Sequence, residues 1–380
     1  MKITKIETIL AGTRHLFVRV HTDEGITGLG ESALWGAREG VIGTLRLLEQ
    51  PLIGADASRM NFINEQLYMK HQFKGMNIMS AISAIDLALW DIKGKALGQP
   101  VYQLIGGKYR DRIRVWEPIM GHSDLGEIRE LAQKAKDEGY TAIRITPTAG
   151  THDMPTVKRL KTMYDRVAAV REVAGDDIDI GIEIHRDLNP DDAVRFCNML
   201  DGLDIMFFED PHRSENIETM AYMCSKTTTP IAAGERCISI QEFEMLLNAG
   251  MRLVRPDICT LQGLTGNLKV AALAEAHHAG VIPHVPCGAV NMTAAAHYSA
   301  AIPNFTIMEK FGEKTFAEVM SEFRDDCRPV IKDGCLELPE GPGWGIELAE
   351  DLEERVPYTV APWSLDARKA GLKELLKTKE

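Results

Sequence analysis

The chain has 380 residues, 45% of them hydrophobic and 26% charged, and carries a net charge of −12 at neutral pH. That length exceeds one comfortable core, so two domains or one large capped barrel are expected. The acidic balance argues against nucleic acid as a partner, because phosphate binding needs clustered Lys and Arg. No apolar run approaches the roughly 18 residues of a membrane helix, and the N-terminus, MKITKIETILAGTRH, is charged where a signal peptide would be apolar. No membrane partner and a cytoplasmic address are therefore expected. Seven cysteines, an odd number with no CxxC pair, read as buried free thiols.

In chain order, His15–Thr22 alternates as a strand, Asp23-Glu24-Gly25 supplies a turn and Ile26–Gly30 returns. Helices follow, the clearest with Ile82, Ile85, Leu89, Ile92 and Ala96 on one face, ended by Gly98 and Pro100. Residues 1–112 thus read as a small α+β domain. From 113 onward short β-rich runs alternate with helical stretches such as Gly126–Glu138 and Leu268–Ala279. The runs are Ile113–Glu117, Ala142–Thr146, Ile178–His185, Ile205–Glu209, Pro230–Glu235, Arg252–Ile258, Val281–Val285 and Phe305–Glu309. Strands interleaved with helices in this way predict an α/β fold, a parallel TIM-type barrel. A doubly wound sheet is the alternative, but neither G-x-G-x-x-G nor a phosphate-binding G-x-x-x-x-G-K-[ST] loop occurs.

The ends of these runs carry Glu183 and His185, Glu209, Glu235, Asp257, His284 and Glu309. Counted from Glu183, the acids and His284 are 26, 26, 22, 27 and 25 residues apart, near the roughly 25–31 residues of one barrel unit. The carboxyl ends of barrel strands converge on one face, so these groups should meet there. Three carboxylates after apolar runs would waste desolvation energy and repel one another unless a cation compensates them. An all-oxygen set favours Mg²⁺, with Mn²⁺ next; the alternative for Glu183, Glu209 and Glu235 is a structural ion-pair network. His185, two residues past Glu183, should share its face. Asp257 beside His284 would fix the ring's tautomer and make it a general base. His277, His278 and His297 lie on helices and read as structural.

Several segments resemble the mandelate racemase subgroup of the enolase superfamily, with its galactonate-type dehydratases nearest. They are Ala84–Gly107, Phe207–Pro211 (FFEDP), Ile231–Arg236 (IAAGER), Arg255–Gly266, Pro283–Gly288 (PHVPCG) and Glu337–Leu348. The resemblance implies a modified (β/α)₇β barrel over residues 113–320, capped by 1–112 together with a returning segment, 321–380. It also implies Mg²⁺ on Glu183, Glu209 and Glu235, a His284–Asp257 base, His185 as general acid, and Glu309 hydrogen-bonded to the substrate carboxylate. A homo-oligomer is expected. Two departures stand out. The family's first ligand is usually Asp, and here Glu183 is one methylene longer. The family's Lys-x-Lys of racemases is replaced by Arg144-Ile145-Thr146.

These roles describe an acid-sugar dehydratase. His284 removes the C2 proton, Mg²⁺ and a protonated Glu309 stabilise the enediolate, and His185 protonates the departing 3-hydroxyl to give a 2-keto-3-deoxy acid. A racemase or epimerase using both histidines is the competing reading, disfavoured by the missing Lys-x-Lys. A metal-dependent hydrolase would want a His-x-His that the sequence lacks, and a non-catalytic barrel would not need both histidines. Arg144, Thr146, Arg236 and Trp35 are the substrate-binding candidates, and the cap loops Ser32–Glu39 and Lys74–Met79 are expected to select the substrate.

Overall fold

The computed structural model describes residues 1–32 and 37–359. The cap opens with an antiparallel sheet of β1 (Ile3–Ala11), β2 (His15–Thr22) and β3 (Thr27–Ser32). Helices α1 (Arg38–Leu52), α2 (Met60–Lys70) and α3 (Met76–Leu97) follow. Helix α3 is buried along most of its length and lies directly on β3. A Cβ at Gly28 or Gly30 would fall 2.0 and 1.9 Å from the carbonyls of Ala88 and Ala84, so only glycine permits this approach. Gly98, at φ +63°, ends the helix in the left-handed conformation.

After α4 (Val101–Leu104), β4 (Arg112–Arg114) and β5 (Glu117–Ile119), the chain alternates helix and strand. The run is α5 (Leu125–Asp137), β6 (Ala142–Ile145), α6 (Thr156–Ala174), β7 (Asp179–Glu183), α7 (Pro190–Met199) and β8 (Ile205–Glu209). It continues with α8 (Ile217–Lys226), β9 (Ile231–Ala233), α9 (Ile240–Asn248), β10 (Leu253–Val254), α10 (Gly263–Ala276), β11 (Gly280–Val281) and α11 (Ala289–Ala301). β5 to β11 form one seven-stranded parallel sheet in sequence order. Single bridges from Phe305 to Val281 and from Met308 to Val115 close it, so the eighth run, Phe305–Glu309, completes a (β/α)₇β barrel without a regular ladder. The first run falls differently from the expected Ile113–Glu117. Arg112–Arg114 pairs antiparallel with β13 (Cys335–Glu337), beside β12 (Ile331–Lys332), and the barrel strand begins at Glu117.

The segment beyond the barrel includes α12 (Glu313–Glu322) and α13 (Leu352–Arg355) and returns to the cap. There the Trp344 indole donates to the Leu29 carbonyl at 2.9 Å and the Gly12 amide to the Val356 carbonyl at 3.0 Å. His297 is structural as expected: it accepts from the Tyr102 amide and donates to the Trp344 carbonyl, and burial pushes its pKa down to about 4. Cys197, Cys237 and Cys259 are buried free thiols, whereas Cys224, Cys327 and Cys335 are only partly buried, against expectation. No described helix is long and apolar enough to cross a membrane.

The barrel interior is filled by Trp116, Ala142, Phe207, Ala232, Leu253, Ile282 and Ile307. Gly181 belongs to the same layer, since a Cβ there would meet the Phe207 ring at 2.3 Å. Because side chains alternate along a strand, residues two further on face the same way, one layer nearer the carboxyl ends. Those residues include Arg144, Glu183, Glu209, Arg255, His284 and Glu309.

Candidate active site

This second layer is the floor of a cavity of about 600 Å³ whose lining includes Arg144, Glu183, His185, Glu235, His284 and Glu309. The Arg144 guanidinium sits among three carboxylates, 3.4 Å from Glu183 and 3.1 Å from both Glu209 and Glu309. Arg255 reaches Glu209 and Glu309 from the other side, each at 2.8 Å. Both guanidiniums lie over the Trp116 ring, 4.8 and 5.5 Å from its centre, where the ring's quadrupole favours a cation. Arg186, at φ +64°, pairs with Asp210 and Glu235.

His284 Nδ1 stands 2.8 Å from Asp257, and its Nε2 stands 3.4 Å from Glu235. The other Asp257 oxygen accepts from the Cys259 amide at 2.7 Å, so the carboxylate's orientation is fixed from both sides. Burial alone would lower the His284 pKa, but Glu235 and Asp257 outweigh it and raise it to about 9. Glu309 is shifted the other way. Burial favours its protonated form, yet Arg144, Arg255 and His284 hold it far below the carboxylate range. It accepts from the Val285 amide at 3.0 Å.

His185 lines the cavity, although not by strand alternation. The strand stops at Glu183, and His185 adopts φ +52° beyond it. Burial and then the nearby Arg144 lower its pKa. Arg236 lies at the rim, half exposed and 2.8 Å from Glu215. Thr146 does not line the cavity; its hydroxyl is buried without a partner, too short to follow Arg144 on the same face. Trp35 lies outside the described residues. Within the two cap loops, Met76 reaches the cavity, while Arg38 is buried and bonds the Gly12 carbonyl at 3.4 Å. Arg14, Arg186 and Arg255 were not singled out from the sequence. Only Arg255 carries a signal, being two residues past the inward-facing Leu253 and two before Asp257.

The charge of the donor set bears on a divalent cation. Glu183, Glu209, Asp210, Glu235, Asp257 and Glu309 face only three guanidiniums. Burial and the adjacent Glu209 push Glu183 well above the usual carboxylate range. Six carboxylates against three guanidiniums leave an acidic excess that a divalent cation would offset, and the residues fit such an ion. As placed, each carboxylate turns to a guanidinium or a histidine. Among the described residues no three potential ligands converge on one point.

A parallel barrel whose strands end in paired acids and histidines, under a cap from both chain ends, is the architecture of the enolase superfamily. Residues 6–106 match the mandelate racemase / muconate lactonizing enzyme N-terminal domain, and residues 127–352 match the enolase C-terminal domain-like family. The chain belongs to this family. It is 34% identical over 372 residues to D-galactonate dehydratase from Xanthomonas oryzae pv. oryzae, covering 96% of each protein. A member of the enolase superfamily from Salmonella Typhimurium superposes with a TM-score of 0.88 at 32% identity, covering 94% of this chain and 98% of that one. An enolase from Agrobacterium radiobacter, with bound Na and L-malate and an ordered active site, gives 0.88 at 30% identity over 96% and 97%. By this kinship the protein is a hydro-lyase of the superfamily.

Proposed function

We propose that the protein is a Mg²⁺-dependent acid-sugar dehydratase that converts a 2,3-dihydroxy acid to its 2-keto-3-deoxy product. The observation that carries this reading is the His284–Asp257 pair, 2.8 Å apart, opening into the same cavity as His185. Likeness to D-galactonate dehydratase along nearly the whole chain supports it. Glu183, Glu209 and Glu235 would hold the metal, which supplies positive charge where negative charge develops on the substrate carboxylate.

The chain's own groups do the rest. His284, as the neutral imidazole, takes the proton on C2, while Asp257 keeps Nδ1 protonated and Nε2 facing the substrate. His185 delivers a proton to the departing 3-hydroxyl, and its lowered pKa makes the imidazolium a willing donor. Arg144, held in place by Glu309, presents a fixed cation to the substrate's carboxylate end. The enol then tautomerises to the ketone.

Incubating the protein with a panel of C5 and C6 acid sugars and Mg²⁺ tests this reading. Formation of a new 2-keto acid, lost on chelation, is expected. Turnover of none of the panel, or turnover by epimerisation alone, would overturn it.

A further inference from the structure

Three arginines face the carboxylates named above as metal ligands, and they are not alike. Arg144 and Arg255 are 4% and 0% exposed, each serves at least two carboxylates, and both lie over the Trp116 ring. Withdrawing either would leave a buried charge without its partner. Arg186 is 24% exposed and lines the cavity, and a single nitrogen, Nη1, serves both Asp210 and Glu235. A contact that water reaches is exchanged far more readily.

The backbone delivers Arg186 to this place by a strained turn. His185 and Arg186, at φ +52° and +64°, are successive non-glycine residues in the left-handed region, where such residues ordinarily occur singly. The Ile184 amide donates to the Glu209 carbonyl at 3.1 Å, and the Arg186 amide donates to the Asp210 carbonyl at 2.7 Å. The turn that brings His185 into the cavity therefore also carries Arg186 to the acids after the next two strands.

Both oxygens of Glu235 already face a cationic or titratable group. Oε1 accepts from Arg186, and Oε2 stands 3.4 Å from His284 Nε2. A divalent ion on Glu235 meets one of these partners, and two cations on one carboxylate oxygen repel strongly away from bulk water. His284 is tied to Asp257 by its other nitrogen, whereas Arg186 is the partner free to move. Asp210 Oδ2 is bound by the same Nη1, so the guanidinium can give up Glu235 without leaving its turn.

We propose that Arg186 is a displaceable counter-ion, which neutralises Glu235 until a divalent cation takes that carboxylate and then stays on Asp210. This rests on the reading of Glu183, Glu209 and Glu235 as metal ligands. Metal affinity is then set by a competition, and removing the competitor strengthens the metal.

The test titrates the chelator-treated full chain with Mn²⁺, followed by electron paramagnetic resonance, and with Mg²⁺ by calorimetry. Neither measurement reads turnover. Arg186→Asn removes the charge and tolerates a left-handed backbone, while Arg186→Gly removes both charge and strain. Both should bind either ion about tenfold more tightly than wild type, the value of one charge-assisted hydrogen bond. In wild type, saturating Mg²⁺ should speed the labelling of Arg186 by phenylglyoxal, read by peptide mass spectrometry. Unchanged or weaker metal binding in Arg186→Asn would overturn the proposal and make Arg186 a support for Glu235. Tighter binding in Arg186→Gly alone would also overturn it, because relief of the backbone and not loss of charge would be the cause. Labelling that is unchanged or slowed by Mg²⁺ would overturn the displacement. Wild type and variants that all bind neither ion would overturn the metal reading and this proposal with it.

Discussion

Two layers of side chains lie inside the barrel, two residues apart on each strand, and they solve opposite problems. The lower one, around Trp116, Phe207 and Ile307, is apolar and closely packed, with Gly181 leaving room for the Phe207 ring. The upper one crowds carboxylates, guanidiniums and His284 into the same cross-section. Burial stabilises the first and penalises the second, and only mutual pairing keeps the charged layer intact. Trp116 belongs to both, since its ring fills the lower layer and carries Arg144 and Arg255 on its upper side. The comparison teaches that the barrel separates stability from chemistry by a single step of strand alternation.

The largest expected effect breaks chemistry and spares the fold. Asp257→Asn keeps size and hydrogen bonding but removes the charge that orients His284, and turnover should fall by roughly two to four orders of magnitude. Mg²⁺ affinity and the thermal midpoint should stay near wild type. Steady-state kinetics with calorimetry check this, and turnover within a few-fold of wild type would show that His284 acts without Asp257.

One layer down the pattern should reverse. Phe207→Ala opens a cavity in the lower layer and should cost about 3–5 kcal/mol in chemical denaturation. The protein that remains folded should keep its turnover number. If turnover fell as steeply as in Asp257→Asn, the two layers would not be separable.

The smallest effect sharpens the contrast between two buried histidines. His284 is raised to about 9 by its carboxylates, whereas His297, facing only an amide and a carbonyl, is lowered to about 4. A histidine lowered from its ordinary 6.5 contributes its stability above that value and loses it as pH falls from 6.5 towards 4. His297→Asn, which can still accept from Tyr102 and donate to Trp344, should therefore remove that part of the acid loss, on the order of 2–3 kcal/mol at most. Denaturation curves measured across that pH range check it, and an unchanged acid loss would place its cause elsewhere.

Much of the charged layer was legible because barrel units repeat. Glu183, Glu209, Glu235, Asp257, His284 and Glu309 each close a β-rich run, at nearly constant spacing. Where the signal failed, a tertiary contact replaced a local rule. The eighth run forms only single bridges, and the first barrel strand begins at Glu117 because Arg112–Arg114 pairs with Cys335–Glu337, more than 200 residues away. Arg186 reaches Asp210 and Glu235 from a left-handed backbone that no periodicity describes. The raised pKa of His284 and the lowered pKa of Glu309 come from neighbours on other strands, which sequence spacing does not rank. Arg14 enters the cavity from the cap, outside the repeat altogether.

Exchange of the substrate's C2 proton with deuterated solvent tests the assignment of roles most directly, read by NMR in two variants with Mg²⁺ and an acid sugar that wild type dehydrates. His284→Asn should abolish exchange, because that residue removes the proton. His185→Asn should abolish formation of the 2-keto acid yet still exchange C2, since abstraction precedes loss of the 3-hydroxyl. Exchange that persists in His284→Asn and vanishes in His185→Asn would contradict the assignment and make His185 the base.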